Sequence, residues 1–300
     1  TEKHILEMNR MRWLLGGLAA VIGILLYSYS RAQKQSDGWG AMKYPQLVLG
    51  MLAIFVYVGV EVAIGSNLSE LLKQPAFGGF EASEAAPYVS MYWGSLMIGR
   101  WAGAINVFRP GRNVKNILLL VIPLIAFGVI IAINTIAQSD MTPLYAYFFC
   151  VLILILAFYI TQDKPARTLL IFSLLGVASM LTGLLNEGRI ATYAFLSGGL
   201  FCSVMWPCIF SLATAGLGKF TTQGSGFLIM MILGGAIIPP VQGKLADLLQ
   251  SGSTQTGYGI HTSYWITVIC FAYLALFALL VKRILHKQGI DYDAAETAAH

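Results

Sequence analysis

Residues 44–69 read YPQLVLGMLAIFVYVGVEVAIGSNLS, an apolar run that a single ionisable side chain, Glu61, interrupts. A helix that crosses a bilayer needs about 20 consecutive, mostly apolar residues. This stretch is long enough, and it holds no other charge. It therefore predicts a transmembrane helix with one acidic group inside the membrane.

The same criterion identifies eight further stretches. One of them contains a single charged residue, Arg100. No stretch alternates polar and apolar residues as a lipid-facing barrel strand must. The sequence therefore predicts an all-α polytopic membrane protein with about nine transmembrane helices. The other eight predicted helices are 13–30, 85–108, 116–139, 141–162, 168–186, 190–218, 220–243 and 263–281.

The composition supports lipid as the solvent of this chain. Apolar residues make up 57% of the sequence and charged residues only 11%, whereas a soluble domain carries about 25% charge. A nucleic-acid partner is excluded on this ground. The four cysteines lie inside apolar runs and the four histidines in tails or at a segment end, so no metal site or cofactor is expected. Because no catalytic motif of the soluble type occurs, we expect no enzyme.

Basic residues predict the orientation, because cytoplasmic loops are enriched in lysine and arginine. One set of alternate connections is basic throughout, whereas the opposite set holds only Lys73, Arg189 and Lys244. This places the C-terminus and the loop 31–43 in the cytoplasm. The basic segment 1–12 breaks the alternation, which favours a fragment of a longer protein over a signal anchor.

Glu61 and Arg100 are the only ionisable side chains well inside apolar segments. A charge there costs at least about 2.5–3.5 kcal/mol, so it should face a cavity or a partner. Glu61 is either a polar ligand group in a transport cavity, which we favour, or the partner of Arg100 or a neighbouring helix. Arg100 is expected to have a structural or gating role. Tyr57 and Gly65 share the helical face of Glu61, whereas Asn67 does not unless Gly65 loosens the helix.

Aromatic residues supply further candidates. Tyr92 and Trp93 form either an interfacial belt or a platform on which a ligand stacks. Trp206 is either a stacking surface or packing bulk. Pro207, directly after it, should bend the helix beside a cavity.

The segment 220–243 holds Gln223 and then Gly234, Gly235, Pro239 and Pro240. Small residues at such spacing let helix backbones approach closely. The segment is therefore expected to form a sliding or rocking interface between helices.

Four blocks of these residues, in this order, resemble a known family. They begin at Tyr57 (YVGVEVAIGS), Tyr92 (YWGSLMIGR), Trp206 (WPCIFSLATAGLG) and Gln223 (QGSG, followed by GGAIIPPVQGKLAD at 234–247). They are similar to the C-terminal half of the fucose/glucose/galactose:proton symporter family of the major facilitator superfamily. The resemblance implies two six-helix bundles around a central sugar site and alternating access by rocking.

The resemblance also implies a domain organisation. Residues 1–43 would be core helix 6 with the cytoplasmic inter-domain loop, 44–284 the C-terminal six-helix bundle, and 285–300 a cytoplasmic tail. Three predicted helices stand where the family has one. We take 168–186 as core helix 9, with 116–139 as the alternative, and about 116–162 as an inserted pair on the lipid-facing outside. The N-terminal half of the transporter, with its proton-carrying acids, would be missing.

The function implied is secondary active transport of a hexose-type sugar, coupled to protons. Glu61 would accept hydrogen bonds from sugar hydroxyls and Trp206 would stack on the ring. The alternatives are a transporter of another small solute on the same fold, or a non-transporting membrane sensor or scaffold. The remaining binding candidates are Tyr57, Asn67, Tyr92 and Trp93, and the gating or structural candidates are Arg100, Gly65, Pro207, Gln223, Gly234 and Gly235.

Overall fold

The computed structural model describes residues 2–35, 40–108, 110–161 and 164–290. Within these ranges the chain forms helices and turns and no strand, which confirms the all-α fold class. Most of the expected tail 285–300, and part of the loop 31–43, lie outside the described residues.

The first six helices each overlap one predicted segment. They are α1 (Glu2–Lys34), α2 (Pro45–Leu72), α3 (Ala82–Ala104), α4 (Arg112–Ile136), α5 (Phe148–Thr161) and α6 (Pro165–Leu185). α1 extends well beyond the predicted 13–30, and α5 begins later than 141.

The last six helices pair into three longer segments, because each predicted segment here contains a break. They are α7 (Gly188–Cys202) with α8 (Met205–Thr214), α9 (Thr221–Met230) with α10 (Gly234–Ser251), and α11 (Tyr258–Ser263) with α12 (Trp265–Lys287).

Eight helical segments in the described part of the chain are long and apolar enough to cross a membrane. The ninth predicted helix, α3, is not among the eight, although its 23 residues extend about 34 Å, more than the hydrocarbon core of about 30 Å. Its sequence is less apolar because it carries polar residues along its length, including Arg100. We treat the chain as an integral membrane protein.

The break between α7 and α8 lies at Ser203 and Val204, where the bend beside Pro207 was predicted. Proline has no N–H, so Pro207 cannot bond the carbonyl of Ser203 four residues earlier. The main-chain N–H and the hydroxyl of Ser203 both donate to the carbonyl of Leu200, at 3.4 and 2.6 Å, which is the i to i−3 spacing of a 3-10 turn. The helix therefore turns immediately before the residues of interest in α8.

The predicted segment 220–243 is too short. The helix continues through Pro239 and Pro240 to Ser251, after a short 3-10 turn at Met231–Leu233. Prolines are tolerated inside membrane helices where neighbouring helices and local 3-10 adjustments compensate for the lost backbone bonds. Both prolines therefore lie inside the helix.

The bundle is built from long helix–helix contacts, and its arrangement distinguishes α6 from α4. α6 packs along α12 and α7, and α10 packs along α2. α3 lies between α7 and α4. α4 contacts α3 and α5 and exposes most of its surface. α6 is therefore packed among other helices of the bundle and α4 is mostly exposed, while the assignment of 168–186 as core helix 9 stays a prediction.

Gly234 sets the distance between α2 and α10. A Cβ atom at this position would lie 1.8 Å from the main-chain oxygen of Phe55, so only glycine fits without moving a backbone. The close helix approach predicted from the glycine spacing is therefore present here.

Loops with lysine residues lie at one end of the bundle, which we call the basic end; it holds Lys43, Lys164, Lys219 and Lys287. Two hydrogen bonds connect separate elements at this end. Buried Gln46 donates to the side chain of Gln288 at 3.0 Å, and the Gln223 side chain accepts the main-chain N–H of Ala41 at 3.1 Å. The start of α2 is thereby tied to the C-terminal end of α12 and to α9.

Candidate functional site

A cavity of about 780 Å³ extends from the middle of α2 to the basic end. α2 contributes Tyr57 and Glu61 to its wall, α3 contributes Arg100, and α8 contributes Trp206 and Pro207. Five residues predicted from widely separated parts of the sequence therefore meet around one space.

An ion pair lies on the cavity wall. Arg100 Nη2 lies 2.9 Å from Glu61 Oε1, and the Tyr57 hydroxyl donates to the other carboxylate oxygen, Oε2. The Glu61 side chain is 13% exposed and that of Arg100 is 53% exposed. The carboxylate is thus recessed in the wall, while the guanidinium stands at the cavity surface.

This geometry combines the two interpretations of Glu61 that the sequence left open. The carboxylate is paired with Arg100, and it also lines the cavity. Arg100 lies near the end of α3, as its sequence position indicated, yet its side chain reaches Glu61 rather than projecting to the basic end. A guanidinium has five N–H donors, so it can hold Glu61 and a ligand oxygen together.

Trp206 stands beside this ion pair at the start of α8. Its ring centroid lies 6.2 Å from that of Tyr57. The ring of Phe210, one turn further on, lies 6.5 Å away and is inclined by 20°. The helix break before Met205 sets Trp206 against α2, so an aromatic surface adjoins the charged one.

Tyr92 lies behind the site rather than in it. It is fully buried, and its hydroxyl donates to the main-chain oxygen of Glu61 at 2.6 Å. A Cβ atom on Gly65 would lie 2.8 Å from the rings of both Tyr92 and Trp93. Gly65 and Tyr92 therefore position α2 against α3 and fix the backbone that carries Glu61.

Trp93 is 42% exposed and does not line the cavity within the described residues. It shares a face of α3 with Arg100, seven residues away, and so stands about 10 Å further from the basic end. Its ring packs edge-on against Tyr92 at 5.3 Å.

Asn67 faces away from the cavity. Its amide donates to Gln242 Oε1 at 3.2 Å and to the carbonyl of Ala63. Gln242 is fully buried, and its own amide donates to the Ser263 hydroxyl at 3.3 Å. Asn67 therefore joins α2 to α10 and α11.

Gln223, Gly234 and Gly235 also lie outside the cavity wall as described. Gln223 holds the loop before α2. A Cβ atom on Gly235 would lie 3.0 Å from Val58, so both glycines belong to the interface between α2 and α10.

Several cavity residues were not predicted from the sequence. They carry hydroxyl groups or apolar side chains of kinds that are common in membrane helices, so no pattern singles them out. These residues include Phe158, Thr161, Thr168, Ser203 and Ser211.

The chemistry available here is recognition by hydrogen bonds, charge and aromatic surface. Among the described residues, no group of three or more histidine, cysteine, aspartate or glutamate side chains is placed to hold a metal ion.

Comparison with known proteins identifies relatives along most of the chain. A glucose/galactose transporter of Brucella abortus (biovar 1, strain 9-941) is 33% identical over 250 residues, which cover 83% of this chain and 44% of that protein. A putative glucose/galactose transporter of Helicobacter pylori (strain ATCC 700392 / 26695) is 30% identical over 248 residues, covering 82% and 46%. No family model matches.

The fucose transporters are also related. The L-fucose-proton symporter of Escherichia coli (strain K12) is 32% identical over 119 residues, which cover 40% of this chain and 25% of that protein. The crystal structure of the major facilitator superfamily transporter FucP in the outward conformation matches 84% of this chain and 45% of that chain, with a TM-score of 0.55 and 23% identity.

The chain spans less than half the length of the curated relatives it matches. The structural likeness assigns the fold, and the sequence matches assign the nearer relationship. By fold and by sequence, the chain belongs to the fucose/glucose/galactose group of the major facilitator superfamily.

Proposed function

We propose that the chain is part of a secondary active transporter that moves a hexose-type sugar together with protons by alternating access. The observation that carries this proposal is the meeting of a carboxylate, a guanidinium and an indole ring on one cavity wall. The names of the relatives, glucose/galactose transporter and L-fucose-proton symporter, support the sugar and the proton.

Sugar recognition would use both kinds of surface. Glu61 accepts hydrogen bonds from sugar hydroxyls, and Arg100 donates to sugar oxygens while it stays paired with Glu61. Trp206 stacks on the apolar face of the pyranose ring. Tyr57 orients the carboxylate by its hydrogen bond to Oε2.

The open side of this site points to a second bundle. Arg100 is 53% exposed on a helix that crosses the membrane, and a charge exposed to lipid at that depth is costly. A further bundle, the N-terminal half expected from the sequence, would cover it and would supply the groups that carry the proton. Sugar and proton would then be exchanged in the space between the halves.

The excess of lysine and arginine at the basic end supports a cytoplasmic location for that end and for the C-terminus. In a bacterium this is the inner membrane. The cavity, which extends to the basic end, would then face the cytoplasm.

The test is uptake of radiolabelled glucose, galactose and fucose by proteoliposomes that contain the protein expressed from its complete reading frame. We expect Glu61→Gln to lower sugar affinity by about 10- to 100-fold, since a hydrogen bond to a charged group contributes about 1.5–3 kcal/mol. The matched control is Glu70→Gln on the same helix, where Glu70 forms an exposed pair with Lys73.

Uptake of a different small solute, with which no hexose competes, would favour the alternative of a transporter for that solute. Binding without flux would favour the sensor or scaffold. Unchanged affinity in Glu61→Gln would contradict the assigned site.

A further inference from the structure

The second helix of the inserted pair, α5, contributes directly to the cavity. Phe158 and Thr161 line the same space as Glu61 and Trp206. The inserted pair was expected on the lipid-facing outside, and α4 exposes most of its surface. α5 has two faces: Leu156 and Ile160 are exposed on its outer face, whereas Phe158 and Thr161 on its inner face line the cavity.

Several contacts hold α5 in this position. The fully buried Tyr147, just before α5, shares a 3.0 Å hydrogen bond with Ser95 on α3. Tyr193 on α7 donates to the carbonyl of Pro143. At the other end, the rings of Phe158 and Phe172 pack edge to face at 5.2 Å. α5 is thus anchored to the bundle at both ends and forms a fixed wall.

This wall offers hydroxyl groups and no charge. Thr168, at the start of α6, is 6% exposed and lines the cavity. Its hydroxyl makes no hydrogen bond to another described residue. Thr161 donates its hydroxyl to the carbonyl of Phe158 and keeps lone pairs as acceptors. Among the described residues that line the cavity, only Glu61 and Arg100 are charged.

The size of the cavity exceeds what one sugar ring fills. Its volume of about 780 Å³ lies within the range of about 300–1,000 Å³ that holds drug-sized ligands, and a single hexose is much smaller. Thr161 and Thr168 lie at the basic end of this space, whereas Glu61 and Trp206 lie at its other end, beside the middle of α2. One neutral, hydroxylated ligand of two rings matches both regions.

We propose that Phe158, Thr161 and Thr168, with Val107 at the rim, form a second sugar subsite, so that the protein carries a disaccharide. One ring binds at Glu61 and Trp206, and the second binds on the wall of α5 and α6. This inference rests on the proposed sugar transport and assigns to the inserted pair a role in substrate selection.

The first test removes one hydroxyl. Thr168→Val keeps the shape of the side chain and breaks no hydrogen bond of the described fold. Thr182→Val, on the same helix but exposed and bonded only to its own turn, is the matched control. Equilibrium binding of radiolabelled maltose, lactose, cellobiose, glucose and galactose is measured on the complete protein. We expect Thr168→Val to weaken disaccharide binding by about 2- to 10-fold and to leave hexose binding unchanged.

The second test fills the subsite. Val107 is 78% exposed, so Val107→Trp adds bulk without disturbing the core. We expect it to abolish disaccharide binding and to retain hexose binding. Hexose binding without disaccharide binding by the wild type would overturn the subsite and leave the proposed function standing. Equal effects of either variant on both sugar classes, or no effect, would also overturn it. Binding of neither class would remove both proposals.

Discussion

Helix α2 carries two polar clusters, six residues apart, that are built on different principles. Glu61 is charged, and its partner Arg100 is half exposed at a cavity. Asn67 is neutral, and its partner Gln242 is fully buried and bonded in turn to Ser263. Buried polar groups that satisfy one another stabilise a fold, whereas a recessed charge beside an open cavity can exchange partners with a ligand. The first cluster is suited to binding and the second to structure.

Removing the exposed partner should give the largest effect on binding. Arg100→Leu leaves Glu61 recessed and unpaired and removes the donor at the cavity surface, so we expect hexose affinity to fall by about 100-fold. Lys73→Leu, which breaks the exposed pair with Glu70, should change affinity by less than about 2-fold. Binding titrations of the complete protein measure both, and equal effects would remove the distinction between the two pairs.

Breaking the buried cluster should affect stability instead. Gln242→Leu leaves the amide of Asn67 and the hydroxyl of Ser263 without this partner, and an unsatisfied buried group costs about 1–3 kcal/mol. We expect a lower thermal midpoint in detergent and unchanged hexose affinity. A loss of affinity with an unchanged midpoint would place Gln242 in the site.

A smaller change concerns the orientation of Glu61. Tyr57→Phe removes the hydroxyl that donates to Oε2 and keeps the ring beside Trp206. One hydrogen bond to a carboxylate contributes about 1.5–3 kcal/mol, but Arg100 still holds the other oxygen. We therefore expect the affinity for hexose to fall by only about 3- to 10-fold. No change would mean that Tyr57 does not position the carboxylate in the bound state.

A double variant tests whether the two clusters are independent, and the coupling expected between them is the smallest effect. Separate sites that share no partner combine additively, within about 0.3–0.5 kcal/mol. The double variant Glu61→Gln with Gln242→Leu should therefore show the binding loss of the first and the stability loss of the second. A coupling above about 1 kcal/mol in either quantity would show that α2 links the two clusters.

The sequence predicted most of the fold, because length and apolar character determine membrane helices locally. Glu61, Arg100 and Trp206 could be found for the same reason, since charged and large aromatic side chains stand out in apolar runs. The partner of Asn67 could not be predicted, because Gln242 is 175 residues away along the chain. Thr161 and Thr168 were missed because a hydroxyl in an apolar helix is ordinary until packing turns it toward a cavity.

The inserted pair illustrates the same limit. Its two helices were recognised by hydropathy, yet apolar sequence does not distinguish a helix that faces lipid from one that packs inside. Tyr147 and Phe158 are buried and attach one face of this segment to α3 and α6.

The account depends most on the claim that the Glu61 end of α2 binds sugar and the Asn67 end does not. The direct measurement is equilibrium binding of glucose and galactose to the complete protein, its Glu61→Gln variant and its Asn67→Ala variant. We expect Glu61→Gln to bind about 10- to 100-fold more weakly and Asn67→Ala to bind as the unchanged protein does, with a lower thermal midpoint. Normal binding by Glu61→Gln, or a comparable loss of affinity in a stable Asn67→Ala protein, would contradict it.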